Sequence, residues 1–150
     1  MSVATMRRQQ QDNTRPLTSA ECRSWLCTHT EGRLGYLSGR GPRCVVVSYA
    51  VAPDDRIILR VPEFNEIGQY APGERVTLDV DGMTPPGDRQ TVRVSGRATV
   101  LPDQLVAALD GRGSETWPTG ISTSIVAFPF AEVHGTAQAE RPNGAKEPGQ

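Results

Sequence analysis

The chain has 150 residues, enough for one domain with a core of its own and too few for two of ordinary size. Its formal net charge of -1 at pH 7 excludes the broad basic field that a nucleic-acid or anionic-membrane surface calls for. Its apolar runs, such as residues 44–47, fall far short of a membrane span.

Residues 1–16 are polar and aperiodic and read as a disordered arm. Arg7, Arg8 and three consecutive glutamines lead into no apolar stretch, so this arm does not read as a secretory signal. The first predicted element is a helix. Thr18-Ser19-Ala20-Glu21 matches a capping box, in which the threonine hydroxyl takes an orphan N–H while the glutamate reaches back. Leu17 before the cap and Cys22 after it suit a hydrophobic staple. Cys22, Trp25, Leu26 and His29 recur at helical spacing and define one apolar face, and Gly32 ends the region. His29, at the end of this helix where the dipole favours a cation, reads as structural.

Strands follow. Residues 33–38 are short and apolar-rich, and Gly39-Arg40-Gly41-Pro42 is a turn by its chemistry. It is not a phosphate loop, because neither lysine nor helix follows it. Residues 45–51 are apolar on both faces, which predicts a central strand covered on both sides. Pro53-Asp54-Asp55 is a hairpin turn, with residues 56–61 as the return strand. Residues 74–81 alternate, Val76, Leu78 and Val80 against Arg75, Thr77, Asp79 and Asp81. Residues 82–88 read as a loop. Residues 91–101 alternate again, with Val92, Val94, Ala98 and Val100 on one face; Gly96 hints at a bulge or a barrel corner. A short helix over 102–109, an apolar strand over 122–128 and a final strand near 133–137 complete a domain spanning 17–138. Residues 139–150 read as a disordered tail.

Short connections imply antiparallel pairing, and about six alternating strands in one small domain close most naturally into a barrel, because closure removes edges. Three cysteines (Cys22, Cys27, Cys44) form an odd set without metal spacing and read as buried free thiols in a reducing, cytoplasmic setting. His29 and His134 stand far apart without partners at ligand spacing, so no metal site is expected.

One arginine stands out. Arg60 ends the third strand among Ile57, Ile58, Leu59 and Val61. A guanidinium there suggests a phosphorylated ligand at the barrel rim, since arginine meets phosphate through forked, charge-assisted hydrogen bonds. The ordinary alternative is pairing with Glu63 or Asp79. Ser48 and Tyr49 can equally be plain strand residues, and Trp117 can plug a core gap or an interface seam.

Taken in order, the chain shows Glu21-Cys22 in a leading helix, Gly32-Arg33-Leu34-Gly35-Tyr36, Val45-Val46-Val47-Ser48-Tyr49-Ala50-Val51 and Ile57-Ile58-Leu59-Arg60-Val61. Then come Val76-Thr77-Leu78-Asp79-Val80-Asp81 and Val92-Arg93-Val94-Ser95-Gly96-Arg97-Ala98. This ordered set, covering about residues 17–136, resembles the pyridoxamine 5'-phosphate oxidase-like family, the FMN-binding split barrels, and most of all its small actinobacterial members. The resemblance implies a mainly β fold, a six-stranded antiparallel split β-barrel with a capping N-terminal helix and a short late helix. It implies a homodimer with FMN, or a deazaflavin, in a groove between subunits. The implied activity is that of a flavin-dependent oxidoreductase acting on a small organic substrate.

The resemblance also implies roles for residues. The strand over 45–51 lines the ring system, with Val47, Ser48 and Tyr49 as its contacts. Arg60 grips the phosphate, the residues after it, Val61 and Asn65 among them, finish the phosphate pocket, and Trp117 sits near the dimer groove. His134 falls where relatives often carry a basic residue facing the groove. One position departs: six residues after the arginine, where the family carries a lysine, this chain has Glu66. Either Glu66 turns away from the groove, or the ligand differs from FMN, or flavin binding is lost. The alternatives to a flavoenzyme are a non-catalytic barrel that carries or sequesters a cofactor or tetrapyrrole, its phosphate pocket degenerate, and a purely structural barrel.

Overall fold

A computed structural model describes residues 14–62, 64–102 and 123–139. Helix α1 (Ser19–Thr28) begins where the capping signal places it. Thr18 Oγ1 accepts from the Glu21 backbone N–H at 3.1 Å, and Glu21 Oε1 accepts from the Thr18 N–H at 2.9 Å. Cys22 and Leu26 are buried, and the Trp25 indole N–H donates to Val80 O at 2.9 Å, pinning the helix to the barrel. His29 is structural as expected: its Nδ1 donates to Trp25 O at 2.7 Å, and the two rings lie 4.1 Å apart. Leu17 and Cys22 close together over Gly135.

The strands are β1 (Thr14–Pro16), β2 (Glu31–Ser38), β3 (Gly41–Ser48), β4 (Ala50–Val51), β5 (Arg56–Pro62), β6 (Arg75–Met83), β7 (Asp88–Arg97), β8 (Thr99–Val100), β9 (Thr123–Pro129) and β10 (Glu132–Ala139). A second helix, α2 (Glu66–Tyr70), follows β5. One sheet has the order β1-β10-β7-β6-β2-β3, the other β4-β5-β9-β8. Every pairing between these strands is antiparallel, as the short connections predict.

Two corners carry the chain from one sheet to the other. Between β3 and β4 the chain turns at Tyr49, and between β7 and β8 at Ala98; both are buried. Such sheet-switching corners let two open sheets wrap one core. Gly96 sits beside the second corner, in line with the corner its place in the strand hinted at, and a side chain there would collide with the Pro129 carbonyl. The core joins Leu26 of α1 to Leu34, Leu59, Leu78, Val92, Val126 and Phe128, all essentially inaccessible. Each such side chain contributes about 1.5–3 kcal/mol on burial.

Several expectations need correction. Thr14–Pro16 is not part of an unpaired arm: it pairs with Thr136, Ala137 and Gln138. Gly32 does not end the helix region but lies inside β2, where a side chain would run into Asp79 O and Val80. The loop expected over 82–88 is a turn over 84–87, since β6 and β7 extend to Met83 and from Asp88. Residues 45–51 are not one central strand. They divide at Tyr49, and β3 is the edge of its sheet with Cys44, Val46 and Ser48 exposed. Pro42, which has no N–H to donate, fits that edge. Of the cysteines only Cys22 is buried; Cys27 and Cys44 are exposed. Val100 is also exposed. The helix expected over 102–109 lies beyond Pro102 outside the described residues, as do Trp117 and Glu63.

Candidate functional site

The two sheets part between β3 and β5, which are not hydrogen-bonded to each other. A cleft of about 370 Å³ opens there, lined by Val45, Val46, Val47 and Ser48 on one wall and Arg60, Val61 and Pro62 on the other. Tyr36, Asn65 and Ile67 complete it. The volume lies within the range of about 300–1,000 Å³ found for cofactor and small-ligand sites.

Of the residues expected at a ligand site, Val47, Ser48, Arg60, Val61 and Asn65 converge on this cleft. Tyr49 does not. It is 3% exposed, its hydroxyl donates to Leu26 O at 2.7 Å, and burial pushes its ionisation upward. It faces a second, smaller hollow of about 260 Å³ with Leu26, Cys27, His29, Thr30, Ala50 and Val51. The sheet-switching corner rotates it away from the wall that Val47 and Ser48 share. Trp117 lies outside the described residues. His134 is exposed on β10, opposite Arg93, and does not line the cleft.

Arg60 is half-buried near the end of β5, flanked by the buried Leu59 and Val61, and its Nη1 donates to Thr123 Oγ1 at 3.4 Å. Of the acids proposed to pair with it, Asp79 is taken elsewhere. Its carboxylate is gripped by Arg93 through two hydrogen bonds of 2.7 and 3.0 Å. Arg60 lines the cleft, with the buried Leu59 and Val61 on either side of it in the strand.

Glu66 opens α2. Asn65 caps that helix, its Oδ1 accepting from the Ile67 N–H at 2.7 Å. The Glu66 carboxylate is held by side chains of the same chain. The Tyr36 hydroxyl donates to Oε1 at 2.5 Å, Arg43 Nε lies 3.2 Å from the same oxygen, and Arg43 Nη2 donates to Oε2 at 3.4 Å. The Tyr36 hydrogen bond, followed by the Arg43 charge, holds the Glu66 carboxyl below the usual carboxylate range. Burial, then the bond to Glu66, pushes the Tyr36 phenol up to about 12. The acid that departs from the resemblance is thus balanced by Arg43 instead of facing the cleft uncompensated.

Val45 and Val46 join the cleft as part of the strand expected there, whereas Tyr36 and Ile67 were not anticipated. A signal existed for Tyr36: with Leu34 it alternates inward along β2, and both are buried. Among the described residues no group of three histidine, cysteine or acidic side chains is placed to hold a metal ion, and no helix is long and apolar enough to cross a membrane.

No protein-family model matches the sequence, and no curated protein matches it significantly. Solved structures do match. The FAD-binding protein from Mycobacterium smegmatis superposes with a TM-score of 0.73 at 17% identity, over 83% of this chain and 98% of that one. A protein from Corynebacterium glutamicum named for pyridoxamine 5'-phosphate oxidase gives 0.70 at 19% identity, over 85% and 94%. A FAD-binding protein from Mesorhizobium loti gives 0.63 at 20% identity, over 85% and 98%. At these identities the likeness establishes the architecture: the chain has the pyridoxamine 5'-phosphate oxidase-like split-barrel fold.

Proposed function

We propose that this chain binds a flavin in the cleft between β3 and β5, with the ligand's phosphoryl group against Arg60. The observation that carries the reading is the Arg60 guanidinium set in an otherwise apolar wall of a cleft large enough for a cofactor. Val45, Val47 and Val61 offer apolar surface to a ring system, and Ser48 and Asn65 offer hydrogen bonds at its edges. The FAD binding named for two of the structural neighbours supports a flavin over other phosphorylated ligands. FMN is the form proposed here, because one phosphoryl group matches one guanidinium; a deazaflavin phosphate would use the same contacts.

The residues present fit such a group. The negative charge at Glu66 is compensated by Arg43 and fixed by Tyr36, so the cation at Arg60 is not cancelled by it. The described residues lining the cleft include no histidine, cysteine or carboxylate. A bound flavin would supply the hydride chemistry itself. The chain's part is then to orient the ring and to present it to a small organic substrate as an oxidoreductase. The same lining equally fits a second reading, a barrel that carries the cofactor without turnover.

The reading includes a homodimer. The β3 edge supports it: Val46 is 69% exposed on a strand with one neighbour, the kind of edge that a second copy covers. Titration of the purified protein with FMN, followed by quenching of flavin fluorescence, tests the proposal. Saturable quenching is expected; colourless protein that quenches nothing would contradict it. Sedimentation in the same buffer reports the dimer.

A further inference from the structure

Among the polar side chains around the cleft Ser48 can donate or accept, but Arg60, Asn65 and Tyr36 are each restricted, and those restrictions select among ligands. Arg60 can only donate. Asn65 turns its carbonyl oxygen to the Ile67 N–H at 2.7 Å, and its amide NH₂ brings two further donors. Tyr36 is the opposite case. Its single proton is given to Glu66 Oε1 at 2.5 Å, and what the phenol can still present is a lone pair. Arg43 reinforces this state, because its guanidinium lies 3.2 Å from that same oxygen, donates to Oε2 at 3.4 Å and is itself engaged. Tyr36 is 6% exposed, so its ring cannot swing to seek another acceptor without opening the core.

We infer that Tyr36 is a specificity-determining residue of the cleft, an acceptor that recognises a hydroxyl of the ligand's polyol chain, and that Glu66 is the positioning residue that keeps it so. The inference rests on the flavin reading and deepens it. One end of the cleft takes an oxyanion through Arg60 and Asn65; the Tyr36 wall takes a hydroxyl donor. An oxyanion at that wall would meet a phenol with no proton to give, backed by a carboxylate. The residue in the place of the expected lysine thereby has a use: it is exchanged from gripping phosphate to orienting a neighbour that reads the sugar-like chain. Tyr36 and Glu66 stand 30 positions apart in sequence, which is why only the folded arrangement exposes the pair.

The test compares three probes that differ in the groups concerned: FMN, riboflavin, which lacks the phosphate, and lumiflavin, which lacks the whole polyol chain. Each is titrated into wild-type protein and into Tyr36→Phe, with thermal unfolding measured alongside. Tyr36→Phe is expected to weaken FMN and riboflavin by the same factor, about threefold to tenfold, and to leave lumiflavin unchanged. Glu66→Gln, which retains an acceptor for the phenol proton, is expected to keep riboflavin affinity within about twofold, whereas Glu66→Ala should lose as much as Tyr36→Phe. A loss in Tyr36→Phe that extended equally to lumiflavin, or no loss for any probe, would overturn this inference while leaving the flavin reading standing. Wild-type protein that bound none of the three would overturn both.

Discussion

The two strands that face each other across the cleft are almost equally apolar in sequence, yet they occupy different settings. β5 lies between β4 and β9, and Ile57, Ile58 and Leu59 are at most 1% exposed. β3 has β2 as its one neighbour, and Val46 stands 69% exposed. The difference teaches that an apolar strand signals a covered strand without saying what covers it. For β5 the cover is the chain's own core. For β3 the proposal above assigns it to a bound ring and a second copy.

The contrast can be broken most severely from the β5 side. Leu59→Ala should cost about 2–5 kcal/mol, a lost transfer energy plus a cavity, read as a lower denaturation midpoint. Val46→Asp on β3 should leave the barrel folded, with the same far-ultraviolet circular dichroism, and move the sedimentation profile toward monomer. If Val46→Asp unfolded the chain as Leu59→Ala destabilises it, the two walls would not differ in the way described. Thr18→Ala, far from both walls, should cost about 1 kcal/mol through loss of the α1 cap, and chemical denaturation measures it.

The smallest expected effect concerns the tie between the walls. Glu66 links β3, through Arg43, to α2, which follows directly on β5. Its folded-state ionisation lies below the unfolded value, so the stability it contributes is present above the ordinary carboxylate range, about pH 4.3, and is lost as pH falls through the folded value. Denaturation midpoints between neutral and acid pH should therefore fall less steeply in Glu66→Gln than in wild type. Identical slopes would mean that the tie contributes nothing.

Local signals in the sequence transmitted well. The capping box placed α1, and the alternation of Val76, Leu78 and Val80 against Thr77 and Asp79 placed β6 and its buried face. Arg60 was legible because a charge within an apolar strand is conspicuous. The losses were non-local. The edge position of β3 could not be read, since a strand apolar on both faces looks the same whether its neighbour is a strand or something outside the chain. Tyr49 looked like a cleft residue until the corner turned it onto Leu26. Helix α2 has five residues, too few for periodicity, and Asn65 as its cap was the one available cue. The sink for the Glu66 charge lies in Tyr36 and Arg43, 30 and 23 positions away.

The binding of FMN and of riboflavin to wild type and to Arg60→Ala, measured side by side by fluorescence titration, tests the role of Arg60 most directly. If its guanidinium holds the phosphoryl group, wild type binds FMN more tightly than riboflavin. Arg60→Ala then loses about 1.5–3 kcal/mol for FMN, roughly ten- to hundredfold, and nothing for riboflavin. Equal affinity for the two ligands in wild type, unchanged by the substitution, would contradict it.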